Sequence, residues 1–171
     1  MSVMYEGRKS ERACFMTNRL EKYIDDNGLV ETIDAEVEKP IFRRPGYEVL
    51  PTFAELDRRL SDGLREARDK SGLTHADVAP LLGLHPIVYG RYERSETKMH
   101  VSRLIHLSEL LDFSPIDLIM AAAPYRFGKS PEASERRRKL IKVVEGLPDE
   151  AVESMLSLVE AMSKLRSEDG K

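Results

Sequence analysis

Tryptophan is absent from this 171-residue chain, and cysteine occurs once, as Cys14. One thiol can build neither a disulfide framework nor a thiolate metal cluster within a chain, so a reducing compartment is expected. Long apolar runs are missing too: none approaches the roughly 18 residues needed to cross a bilayer. The first residues, MSVMYEGRKSERACF, hold no apolar signal-peptide core, which points to a cytoplasmic protein away from membranes. His75, His85, His100 and His106 have no tight ligand spacing supported by carboxylates or thiolates, so they read as surface or capping groups and no metal is expected. Glycine-rich phosphate loops, nucleophile elbows and paired catalytic carboxylates are also lacking. No enzyme and no cofactor are expected.

An excess of basic charge is missing as well. The net charge is −3, whereas counterion release from phosphates makes many nucleic-acid binders basic overall. The local balance differs. Residues 85–103 carry Arg91, Arg94, Lys98 and Arg103 against Glu93 and Glu96, a small basic face on an acidic body.

What the chain does contain is charge, 33% of residues, and helix formers, with few valine-rich alternating runs; an all-α fold follows. Residues 10–26 place Met16, Leu20, Tyr23 and Ile24 on one helical face, stopped by Asn27-Gly28. The next stretch, ETIDAEVEKPIFRRPGYEVLP, alternates weakly and holds three prolines, which predicts an extended arm. Residues 1–50 thus form an N-terminal helix and arm of unassigned role. Thr52 with Glu55 makes a capping box, and Leu56, Leu60, Leu64 and Ala67 recur at helical spacing up to Ser71-Gly72. Helices over residues 75–82, 86–94, 101–111 and from Ser114-Pro115 complete a five-helix domain, residues 51–123. Pro80 is expected to shorten or bend the first of these.

Residues 124–134, PYRFGKSPEAS, have the composition of a linker. Beyond it, residues 135–171 form a helical hairpin broken near Gly146. In its second helix Val152, Met155, Val159 and Met162 fall at spacings of three, four and three, widened by Leu156 and Leu158. Two helices alone cannot bury such faces, so they must pack on the central domain or on a second copy of the hairpin, the copy being the expected partner for part of that surface.

Between residues 60 and 120 the chain resembles the Cro/C1, or Xre, helix-turn-helix family. The resemblance rests on Leu64, Arg65, Ala67, Arg68, Gly72, Leu73, Thr74, Val78, Ala79, Leu82, Gly83, Leu84, Tyr89, Arg91, Tyr92, Glu93 and Arg94, and on the closing LSELLDFSPIDLI. It implies a lambda-repressor-like domain in which Tyr89 and Tyr92 fill the core and Arg68 pairs with Glu93 as scaffold. It also implies the residues that face double-stranded DNA. These are Thr74 and His75 on the first motif helix, Pro86, Ile87, Gly90 and Arg91 on the second, and Arg94 and Lys98 at phosphate height. His75 stands where Gln is common, and Pro86, Ile87 and Gly90 have no side-chain donor. Ile87 can still contact a thymine methyl, Arg91 can grip guanine O6 and N7, and amides at the start of the second helix can face a phosphate.

The resulting expectation is a dimeric, sequence-specific transcriptional regulator, a repressor on an inverted repeat. The homodimer would join through Val152, Met155, Leu156, Val159 and Met162. The alternative is an antitoxin or anti-activator whose apolar helix binds a partner protein. Arg136, Arg137, Arg138 and Lys139 read first as a solvated helix face. Arg43-Arg44 read as an exposed loop, with the chemistry of a minor-groove arm as the other option.

Overall fold

Short hydroxyl side chains accept the first free amides of a helix, and this local chemistry sets three of the helix starts here. The computed structural model describes residues 18–46 and 51–168, the side chains of 165–168 excepted. Cys14, Met16 and the start of the first expected helix lie outside the described residues. Two compact units divide at Glu55 and Leu56.

In the first unit, α1 (Asn18–Asp26) ends where Leu29 N–H bonds Ile24 O at 2.9 Å, at the expected Asn-Gly stop. The arm is not merely extended. β1 (Val30–Thr32) and β2 (Ile41–Arg43) pair antiparallel with Glu31 opposite Phe42. Pro40 and Pro45 bound β2 instead of interrupting it, which is where a sheet tolerates proline. Asp34, 2% exposed, accepts the Phe53 N–H at 2.8 Å and the Glu36 N–H at 3.1 Å. Arg43 donates to Pro51 O at 3.3 Å and lies 5.7 Å from the centre of the Phe53 ring. It is therefore a tether inside this unit and no exposed arm residue, because its apolar stem and its donors are both used.

α2 (Phe53–Lys70) starts with Thr52 Oγ1 accepting from Glu55 N–H at 3.2 Å. The helices α3 (His75–Leu81), α4 (Pro86–Glu93), α5 (Val101–Leu111) and α6 (Pro115–Ala122) follow, each close to its expected span. Leu64, Val78, Ala79, Leu82, Tyr89, Leu107 and Leu111 form the core of the second unit, with Tyr92 and Phe113 packed at its edge. Gly63 lies against the Leu118 side chain with no room for a Cβ, so α6 can approach α2 closely.

The stretch expected as a linker holds a 3-10 turn, Pro124–Arg126, before α7 (Pro131–Glu145), whose Ser130 cap accepts from Ala133 N–H at 3.2 Å. α7 is clamped to α6 at two points. Arg138 grips Asp117 with two N–H donors at 2.6 and 3.0 Å, and Ser114 Oγ donates to Glu145 at 2.7 Å. Arg138 thus leaves the solvated face expected of its charge run, while Arg136, Arg137 and Lys139 stay exposed. Its hydrogen bonds hold the Asp117 carboxyl below the usual range against the opposing effect of burial.

α8 (Asp149–Glu168) follows the turn at residues 146–148. Leu140 and Val143 on α7 and Leu156, Leu158, Val159 and Met162 on α8 are exposed, so the two helices do not cover these side chains. None of its described side chains is buried. No helix among the described residues is long and apolar enough to cross a membrane, and no cluster of His, Cys, Asp and Glu among them could hold a metal ion.

Candidate nucleic-acid interface

The geometry of α3 and α4 is built around one small residue and one turn. Ala79 is fully buried, and its carbonyl accepts both Leu82 N–H at 3.1 Å and Leu84 N–H at 2.9 Å. Gly83 between them takes φ of +66°, a conformation costly for residues with a Cβ. Thr74 opens α3 by donating its hydroxyl and its N–H to Asp77 Oδ2 at 2.6 and 2.8 Å. These two bonds, the hydroxyl's first, hold the Asp77 carboxyl below its ordinary value. Pro80 sits inside α3, which spans only seven residues, in keeping with the expected shortening.

At the start of α4 the structure corrects one expectation. The first amides do not wait for a phosphate: His85 Nδ1 accepts from Ile87 N–H at 3.3 Å, and His85 O accepts from Val88 N–H at 2.9 Å. Pro86 has no N–H to offer. His85 is thus a capping histidine, and an anion would have to displace it.

Beneath α4 lies a charged network centred on Glu93, 2% exposed. Arg68 holds its two oxygens at 2.7 and 2.9 Å, and His75 Nε2 meets Oε2 at 2.9 Å. Arg65 donates to the Glu93 backbone oxygen at 2.7 Å, a contact the sequence reading did not assign. Burial pushes the Glu93 carboxyl up, but the bonds from Arg68 and then His75 outweigh it and hold the group below its ordinary value. The same bonds push the Arg68 guanidinium up, against burial. Tyr89 is fully buried in this network, and its hydroxyl has no hydrogen-bond partner of good geometry among the described residues. Burial first, and the Glu93 carboxylate second, keep it neutral.

This network draws His75 inward. Its ring stands edge-on to Tyr89, with centroids 5.5 Å apart, and its Nε2 is engaged, so His75 acts first as a support for α4. Gly90, expected at the surface, is buried; a Cβ there would meet Arg94 Nη1 at 2.9 Å and His75 Nδ1 at 3.3 Å. It contributes room for those two side chains in place of a contact of its own.

What remains on the outer face follows helical spacing: Ile87, Arg91 and Arg94 lie at intervals of four and three. Ile87 is 61% exposed, Pro86 is half-buried, and Arg91 is exposed, its side chain with no hydrogen bond or ion pair among the described residues. Arg94 is paired with Glu96, and Lys98 Nζ lies 3.6 Å from Asp57. Thr74 is exposed at the start of α3. The arrangement is a helix held rigidly from below, with one unengaged guanidinium and one exposed β-branched side chain above. The family model for helix-turn-helix domains matches residues 64–118, while no curated protein and no solved structure matches the chain.

Proposed function

With residues 64–118 a helix-turn-helix DNA-binding domain of Cro/C1 type, we propose that this transcriptional regulator is a repressor that binds an inverted-repeat operator as a homodimer. The observation that carries the DNA-reading part is Arg91. It stands exposed on α4, unpaired among the described residues, one turn from exposed Ile87. Arg91 supplies bidentate donors for guanine, and Ile87 supplies an apolar contact for a thymine methyl. Thr74, Arg94 and Lys98 bind phosphates around them. With His75 and Gly90 committed to support and Pro86 without a side-chain donor, the code is short, and phosphate contacts and DNA shape contribute much of the affinity.

The dimer part is supported by exposed apolar side chains on both C-terminal helices: Leu140 and Val143 on α7, and Leu156, Val159 and Met162 on α8. Occupancy is compatible with repression, since a dimer spanning two major grooves excludes other proteins from that duplex.

Selection of bound sequences from random duplex DNA tests the whole reading, with a palindromic motif as the expected outcome. A single unrepeated half-site would remove the dimer, and no enriched motif would favour the second reading. That reading is a partner protein seated on Pro86 and Ile87, two apolar residues at a helix start where base readers usually carry polar side chains.

Arg91→Ala is expected to weaken binding to the preferred site by about 1 to 3 kcal/mol and to relax the choice at one base pair. Fluorescence anisotropy on single-base variants of the site measures both. An equal loss on every sequence would make Arg91 a phosphate contact, and no loss would dislodge α4 from the interface.

A further inference from the structure

Past α4 the chain doubles back on itself. Ser95 takes the left-handed conformation at φ of 56°, and Arg91 O then accepts both Glu96 N–H at 2.9 Å and Thr97 N–H at 3.3 Å. Glu96 is therefore held by its own backbone directly beside the end of α4. Its carboxylate receives two N–H donors from Arg94, Nε to Oε1 at 2.7 Å and Nη2 to Oε2 at 3.0 Å. The remaining nitrogen, Nη1, lies over Gly90, where any Cβ would come within 2.9 Å of it. Arg94 is thus folded back on α4, its donor fork filled by a carboxylate and its third nitrogen laid across the one residue on that face without a side chain.

The fork that grips a carboxylate in this way is the same fork that grips a phosphate. Both side chains are about half exposed, so solvent and counterions screen the pair and a polyanion can compete for it. We propose that Glu96 is an intramolecular competitor for the DNA backbone, occupying the Arg94 guanidinium and so limiting the affinity of the interface for any duplex. The proposal rests on the DNA-binding reading of α4 and adds to it a residue that works against binding. Arg91 lies close enough to Glu96 to help hold its carboxyl below the ordinary range, after the larger effect of the Arg94 hydrogen bonds. The charge therefore persists through neutral pH.

The test uses the intact chain, a duplex carrying its selected site and a duplex of unrelated sequence, with binding measured across a salt series. Glu96→Gln removes the charge and leaves a side chain of the same shape. It is expected to tighten binding to both duplexes by about tenfold at low salt. It should also steepen the plot of log affinity against log salt by about 0.9 for each chain bound, the signature of one more phosphate contact. Adding Glu96→Gln to Arg94→Ala should produce less than about a twofold gain, because the competitor then has nothing to release. Unchanged affinity and slope in Glu96→Gln would overturn the proposal. So would an undiminished gain in the Arg94→Ala background, which would mean that Glu96 merely repels DNA. An intact chain that binds neither duplex would instead sink the DNA reading, and this inference with it. An unchanged melting temperature for Glu96→Gln is expected, and a large fall would overturn the proposal by making the pair part of the fold.

Discussion

Arg68→Met lowers the stability of the intact chain by about 5 kcal/mol, and Glu93→Gln by about 3 kcal/mol, the two ends of the range for breaking a buried ion pair from one side. The asymmetry follows from what each change leaves behind. Without Arg68, a carboxylate that is 2% exposed keeps His75 Nε2 at 2.9 Å and, farther off, Arg65 Nε at 3.9 Å. Without the Glu93 charge, Arg68 still donates to Asp69 at 2.6 Å and to Leu73 O at 2.9 Å, and its side chain is 12% exposed. For a chain of this size those losses amount to a fall in melting temperature of roughly 6 to 20 °C. Replacing both groups, Arg68→Met with Glu93→Leu, should cost less than the sum, because no unpaired buried charge remains. Additive losses would mean that the pair does not couple.

The same network sets the response to acid. The folded-state value of Glu93 is depressed, so the unfolded chain takes up the proton more readily than the folded one. Its contribution to stability is fully present above the ordinary glutamate value, near 4.5. That contribution is lost as pH falls through the folded value. Urea unfolding of the intact chain should therefore weaken below about pH 4.5, and Glu93→Gln should flatten that part of the profile.

A chain carrying Val159→Glu and Met162→Glu should sediment as a monomer and bind the full inverted repeat about a hundredfold to ten-thousandfold more weakly than the intact protein, since two half-sites no longer share one molecule. Leu156, Val159 and Met162 are between 57% and 62% exposed, so new carboxylates there meet solvent in the monomer and each other in a two-fold dimer. Unchanged helicity by circular dichroism separates loss of pairing from loss of fold. The substitutions are preferable to cutting the chain before α7, because that cut would remove Arg138 from Asp117 and Glu145 from Ser114. A variant that stays dimeric would place the interface outside α8. Two-fold pairing would set the two copies of α4 about 34 Å apart, or a multiple of that, one turn of duplex for each interval.

How far the sequence reaches is visible in which bonds it foretold. Thr52 and Ser114 open their helices as expected, and Ser130 does the same inside the expected linker, because each hydroxyl needs only an amide three positions ahead. Gly83 marks its turn by the same local logic. The Arg68 and Glu93 pair, 25 positions apart, came from the family resemblance, as did the burial of Tyr89. The β1 and β2 pair was less legible, since three-residue strands carry almost no alternation and the prolines that bound them look like interruptions.

Local chemistry in the sequence therefore determined the helices, their ends and the apolar stripe of α8, while the choice of Arg91 came from the family resemblance. Tertiary structure alone decided which polar groups were already taken. His85 consumed the Ile87 amide, Glu93 consumed the donor of His75, Glu96 consumed Arg94, and Asp117 drew Arg138 out of its charge run. Helix capping depends on atoms a few residues apart and can be read along the chain. The availability of a donor depends on whether packing brings an acceptor to it, and that is fixed only when the helices meet.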